Sequence, residues 1–258
     1  MSGTDEEVGH APALRRAVRV LDYIAASPRR PTAADITRAL DLPKSSAHGL
    51  LGAMADLRLL ARAEDGGFRL GPHVMRWANS FLAELDLVSV FQDYFAQDPA
   101  LARHTVTLSV RDGAEVVYLG CRNSDQPLGV TFRIGMRLPA AFTATGKALL
   151  AELDDAALDA LLRREGFPAP LTPYSAPSLE ALRGELAGTR QRGFSIDDGQ
   201  VREGMICLGA VLRDHAGAAT AGIALSLTRS EATEAEIASL GAQLRHAAAA
   251  LSRRLGGG

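Results

Sequence analysis

Two cysteines in a chain of 258 residues, Cys121 and Cys207, are too few for a disulfide framework or a four-thiolate zinc site. No apolar run approaches the ~20 residues needed to cross a bilayer. The start, Met1 to His10, is polar and acidic, so no secretory leader is expected. The protein is therefore expected in the cytoplasm, with no membrane partner. The six histidines (His10, His48, His73, His104, His215, His246) contain no pair at the spacing of helical metal ligands, and no carboxylate cluster accompanies them. Neither a metal nor a cofactor is expected. A strong charge of one sign is missing too, since the formal net charge of −2 does not advertise a nucleic-acid binder.

The charge is, however, unevenly shared. Between Ala13 and Ser80 stand eleven basic residues (ten Arg and Lys44) against six acidic ones, a local surplus of five, so the remainder is net acidic. A basic head on an acidic body is the pattern of a DNA-binding module joined to something else. Hydrophobic residues at 47% and charged residues at 22% supply enough core for two modest domains and argue against extended disorder.

Residues 1–12 read as a disordered tail. A helix follows in which Leu14, Val18, Leu21 and Ile24 or Ala25 share a face. Ser27-Pro28 and Pro31 end it. Thr32 is the expected N-cap of a second helix through Leu40. Asp41-Leu42-Pro43 then makes a tight connection to a third helix from about Lys44 to Arg58, burying Ala47, Leu50, Leu51, Met54 and Leu57. Leu59–Arg62, the turn Asp65-Gly66-Gly67 and Phe68–Leu70 read as a two-stranded hairpin. Three short helices followed by a hairpin are a winged helix-turn-helix over residues 13–71. A helical linker, interrupted near Leu85-Asp86, is expected over 72–103.

Residues 104–258 change character. Thr105–Arg111 and Glu115–Cys121 alternate around an Asp112-Gly113-Ala114 turn. Helices are expected over Thr145–Leu153, Asp155–Arg164 and Ser178–Arg192, and strands over Phe194–Asp197, Ile206–Leu212 and Ala219–Leu227. A last helix from about Thr233 keeps Ile237, Leu240, Leu244, Ala248 and Leu251 on one stripe. The fold class is α+β, with an antiparallel sheet in the second domain.

Three blocks carry a resemblance to the IclR family. Arg16-Ala17-Val18-Arg19-Val20-Leu21 and Leu42-Pro43-Lys44-Ser45-Ser46-Ala47 resemble its first helix and the "LPKST"-like start of its recognition helix. Gly135-Met136-Arg137-Leu138-Pro139, followed by Gly146-Lys147-Ala148-Leu149-Leu150-Ala151, resembles its most recognisable stretch. Gly193-Phe194-Ser195-Ile196-Asp197-Asp198, leading to Gly204-Met205-Ile206-Cys207-Leu208-Gly209-Ala210-Val211, resembles its "GYxxDxxE…GxxCxAxPV" pattern. Gln200 and Gly209 depart from it, standing where the family often has Glu and Ala. The resemblance implies a GAF-like effector-binding domain, homodimers that often pair into tetramers, and transcription regulation, as repressor for example, by a small organic or aromatic acid.

A recognition helix inserts its N-terminal, solvent-facing residues into the major groove. Here that set is Lys44, Ser45, Ser46, His48 and Gly49, while Arg16, Arg19, Arg62 and Arg69 are candidates for phosphate contacts. Carried over by motif, the effector site would comprise Phe142, Ala144, Thr145, Asp197, Met205, Cys207 and Ser226, with Phe142 and Met205 as apolar wall. The run 141–146 leads into a helix whose free amides could cradle a carboxylate. Arg133 and Arg137 flank it as possible carboxylate partners.

Enzyme readings fail on single residues. Thr145-Gly146-Lys147 is not a phosphate loop, because position 141 is Ala where Gly is needed and 148 is Ala where Ser or Thr is needed. Gly193-Phe194-Ser195-Ile196-Asp197 lacks the last Gly of a nucleophile elbow. Two alternatives stand beside the small-molecule sensor: a redox sensor working through Cys207 or Cys121, and a winged helix that works by protein–protein contacts. The favoured reading is a homodimer whose heads read two half-sites of an operator under control of the effector.

Overall fold

The computed structural model describes residues 11–84, 87–97, 101, 103–124 and 132–256. Most of the expected tail and the expected interruption at Leu85-Asp86 lie outside them. The chain divides into two compact units, with the boundary between Glu84 and Leu85.

The first unit starts with α1 (Pro12–Ala26), α2 (Ala33–Ala39) and α3 (Lys44–Asp56). Thr32 caps α2 reciprocally: its Oγ1 accepts from the Asp35 amide, and the Asp35 carboxylate accepts from the Thr32 amide. The turn to α3 passes through Asp41 at φ 50°, a left-handed position that Asp tolerates. β1 (Leu60–Arg62) and β2 (Phe68–Leu70) pair antiparallel as the wing, and α4 (His73–Glu84) follows. The head core joins Val20 and Ile24 of α1 to Ile36, Leu42, Ala47, Leu51, Met54, Leu60 and Phe68.

Two expectations for this core need correction. Leu14 is 65% and Val18 47% exposed, because α1 is rotated so that Ala17, Val20, Leu21 and Ile24 face inward. Apolar residues cover more than one stripe of α1, so periodicity alone admits both rotations. Leu57 is also exposed: it is the C-cap of α3, and Arg58 takes φ 57°, so the chain turns away just past Leu57 and does not cover it.

The second unit opens with α5 (Leu87–Gln97) and then the hairpin β3 (Thr105–Asp112) and β4 (Glu115–Arg122). A short strand, β5 (Arg137–Pro139), runs through the block that the sequence marked only as a motif. After it come α6 (Ala144–Leu150), α7 (Asp155–Glu165), α8 (Leu179–Arg192), β6 (Ser195–Asp198), β7 (Met205–Arg213), β8 (Ala219–Thr228) and α9 (Glu234–Arg254). The six strands form one antiparallel sheet in the order β5-β4-β3-β8-β7-β6. α6 packs on one face, where Ser109 Oγ donates to Thr145 Oγ1 at 2.7 Å. α5 packs on the other, with Phe91 against Gly120 and Leu108 close by, and α9 lies beside α5. No helix among the described residues is long and apolar enough to cross a membrane.

Candidate functional site

In the head, the N-cap of α3 is Pro43, whose side chain offers no acceptor, so Lys44, Ser45 and Ser46 form the first turn. The Ser45 and Ser46 hydroxyls therefore stand exposed on the turn and are not spent as the cap. His48 and Gly49 are exposed as well, and a Cβ built at Gly49 meets nothing within 4 Å. The Lys44 side chain lies outside what is described. Arg16 is half-buried and shares a shallow hollow with Leu42, Ser46 and Leu50, so α1 brings a cation beside the first turn of α3. Arg19 is exposed and donates to the Leu40 carbonyl at 3.2 Å, which ties α1 to the end of α2. In the wing, Arg62 sits opposite Phe68 and over its ring, while Arg69 sits opposite Ala61. Successive strand residues face opposite ways, so Arg62 and Arg69 leave the wing on opposite sides.

In the second unit, an internal cavity of about 10 Å³ lies between α6 and the sheet, room for about one water. Ala144, Thr145, Asp197, Met205, Cys207 and Ser226 all line it. Phe142 does not: it is fully buried in the core, edge-on to Phe167 with ring centroids 6.1 Å apart. Its place on the wall is taken by Phe132 and Tyr118, which the sequence did not point to, together with Thr107, Thr143, Val201 and Ala224. Arg133 and Arg137 are not on the lining; Arg137 pairs with Glu115 at 2.7 Å and Asp112 at 2.8 Å across the edge of the sheet.

The chain reaches this arrangement by close backbone approach. A Cβ at Gly146 would stand 2.3 Å from the Ala140 backbone, so only glycine lets α6 start against that loop. A Cβ at Gly209 would stand 2.5 Å from the Ala144 carbonyl and 2.6 Å from Ser195 Oγ, which itself donates to the Ala144 carbonyl at 2.5 Å. The departure at position 209 is thus what seats the first residue of α6 on β7. Gly209→Ala is expected to cost about 1–3 kcal/mol through overpacking; urea denaturation checks it, and a variant as stable as the parent would sink the account.

Asp197 is the one carboxylate of the lining among the described residues, and it is 2% exposed. The Gln200 amide donates to its Oδ1 at 2.7 Å and the Val201 amide at 3.3 Å. Burial pushes its pKa up to about 6; the Lys147 ammonium and the two amides pull the other way, and the Glu185 carboxylate adds to the rise. Lys147 is fully buried and donates to Glu185 Oε2 at 2.6 Å, while Gln200 Nε2 donates to Glu185 Oε1 at 2.9 Å. A glutamate at 200, as the family often has, would set two carboxylates against each other there, so Gln200 suits its neighbour. The sequence shows Lys147 as part of a motif block and of a failed phosphate loop, and nothing in it pairs Lys147 with Glu185, 38 positions away.

The sign of the Asp197 shift fixes a pH dependence. Its carboxyl binds a proton more tightly in the fold than in the unfolded chain, so this contribution to stability is complete below about pH 4. It is lost as pH rises through 6, and amounts to about 3 kcal/mol. Asp197→Asn should flatten that part of the curve in urea denaturation from pH 4 to 8. Parallel curves for the two proteins would contradict it.

Neither thiol is poised to react. Cys207 lies 3.2 Å from Ser226 Oγ, and burial raises its pKa far above the ordinary thiol range. Burial also raises that of Cys121, whose Sγ donates to Asn123. Redox sensing requires thiolate character and exposure, so the geometry disfavours it.

The comparisons with known proteins fit both units. Residues 13–64 match the IclR helix-turn-helix domain, and residues 79–253 match the C-terminal domain of bacterial IclR transcriptional regulators. The transcriptional regulator XynR of Escherichia coli is 31% identical, with 94% of this chain and 96% of that protein covered. The repressor BlcR of Agobacterium tumefaciens is 61% identical, with 96% and 99% covered and a TM-score of 0.65. An IclR homologue from Microbacterium hydrocarbonoxydans, solved with 4-hydroxybenzoate, is 26% identical, with 94% and 98% covered and a TM-score of 0.81. Its relatives are regulators and not enzymes, and the chain belongs to the IclR family of bacterial transcription regulators.

Proposed function

We propose that this protein is a cytoplasmic, dimeric repressor, able to pair into tetramers, that binds operator DNA through α3 and the wing and releases it when a small organic acid enters the sensor cavity. The observation that carries the reading is the cavity itself: six side chains assigned by motif to an effector line one buried space roofed by the start of α6. First-turn amides of a helix lack intrahelical acceptors, so those of Ala144 and Thr145 suit a carboxylate. The Asp197 carboxylate suits a ligand hydroxyl, and Thr107, Thr145 and Ser226 add short polar partners. With room for about one water, the cavity must widen to admit any acid, and a short aliphatic acid asks less movement of its walls than an aromatic one does. BlcR, 61% identical, is named a repressor, which supports the direction of control.

Fluorescence anisotropy on the DNA upstream of its own gene tests this. Binding should prefer that fragment to a scrambled one and weaken steeply with salt. A panel of short hydroxy and oxo acids, with 4-hydroxybenzoate for comparison, should then release it. Equal, weak binding to both fragments, with and without the acids, would rule the reading out.

A further inference from the structure

A second concave site lies at the other ends of α6 and β7. β6 pairs with β7 only from Ile206 to Gly209, so from Ala210 to Arg213 the edge of β7 away from β8 has no strand partner among the described residues. Beside that bare stretch, α6, α8 and α9 enclose a groove of about 740 Å³ that shares no lining residue with the effector cavity. Ala148, Ala151 and Ala210 give it a buried, low floor. A volume of this order is that of small-molecule sites.

The rim of the groove is cationic. Residues 85–258 hold 20 acidic residues against 17 basic ones, yet among the described residues the groove lining collects Arg190, Arg213, Arg245, Arg253 and His246 against one acid, Glu152. Glu152 is engaged by Arg213, with both carboxylate oxygens 2.8 Å from Nη2. Backbone carbonyls hold two of the others: Arg190 donates to Ala151 and Leu153 at 2.8 and 2.9 Å, and Arg245 donates to Arg192 at 3.1 Å. A carbonyl orients a guanidinium without cancelling its charge and leaves further N–H groups to donate. Pre-oriented guanidinium groups around a low floor are what carboxylate and phosphate groups bind best.

We infer that this groove is a second ligand site, for a small polyanion carrying two or more carboxylate or phosphate groups. Isothermal titration calorimetry at constant ionic strength tests it on the full chain, with citrate and inorganic pyrophosphate as probes and acetate as the monovalent control. Saturable binding of either probe, with a Kd below about 1 mM, is expected, and the probe that binds more tightly assigns carboxylate or phosphate as the preferred group. Arg245→Ala/Arg253→Ala and Arg245→Glu/Arg253→Glu, both at exposed positions, should weaken it at least tenfold while circular dichroism stays unchanged. No saturable heat from either probe overturns the proposal, as does binding that both double variants leave intact. A lower mass for the Glu variant in sedimentation overturns it too, since the groove would then be a contact between copies of the chain.

Discussion

Ser45→Glu/Ser46→Glu should reduce operator affinity by at least about 100-fold while leaving the head folded. The two sides of this expectation come from one helix end. Exposed carboxylates in the first turn of α3 complement the positive end of its dipole, so the substitution does not threaten the helix. The same carboxylates would meet phosphates and base edges if this turn enters the major groove. Each lost contact and added repulsion costs about 1–3 kcal/mol. Ser45→Ala/Ser46→Ala removes contacts without adding charge and should cost less. The measurement is anisotropy at one fixed salt concentration, with melting of the variant as the control. Unchanged affinity would remove the first turn of α3 from the interface.

The head was readable from sequence where the determinants are local. Thr32 and Asp35 cap α2 from three residues apart, and Asp65-Gly66-Gly67 turns the wing, because turn and cap chemistry act over a few residues. What failed were decisions made by packing. The rotation of α1 depends on which stripe meets Ile36, Met54 and Phe68, and a helix with apolar residues on several sides does not announce it. The exposure of Leu57 is hidden for a similar reason, since the left-handed turn that ends the helix just past it falls on Arg58, a residue type that rarely adopts it.

In the sensor, motif resemblance located the cavity and missed its far wall. Thr105, Thr107 and Ser109 alternate with Val106 and Leu108, which reads as a strand with one wet face; yet all three hydroxyl residues are buried, because that face looks into the domain and toward α6. Tyr118 reaches the lining from β4 past a bulge in its pairing with β3 between Leu108 and Ser109, a shift that no alternation count registers. Motif resemblance puts Phe142 on the wall, but it lies just ahead of α6 and turns into the core instead. Long-range electrostatics were the least legible. The partners of Asp197 are its own loop amides, which sequence proximity suggests, and Lys147, which only the packing of α6 on the sheet brings near.

That last contact supports the other large effect. Lys147→Met should destabilise the protein by about 3 kcal/mol at pH 7, a fall in Tm of roughly 10 °C for a chain of this size. Methionine keeps the volume of the buried stem, so the loss is electrostatic. It strands Glu185 and Asp197 without the cation that both lean on. Glu185 is 31% exposed and recovers part of its hydration, which places the penalty at the low end for a broken buried pair. Asp197 has no such recourse and can escape only by taking up a proton, so the penalty should shrink below about pH 6. Removing both charges is a different experiment from breaking the pair. Lys147→Met/Glu185→Leu replaces the pair by apolar bulk and should recover the part of the lost stability that the stranded Glu185 accounts for. Urea denaturation of the single and double variants at pH 5 and 8 decides the matter. A single variant as stable as the parent at pH 8 would mean that the ammonium does not hold these carboxylates in place. A double variant no better than the single one would mean that Asp197, and not Glu185, is the charge left stranded. The distinction bears on signalling, because Glu185 belongs to α8 and Asp197 lines the cavity proposed for the effector. A cation shared between them joins the proposed site to a helix with no residue on the cavity lining, and the double variant would show whether that helix needs the charge or only the bulk.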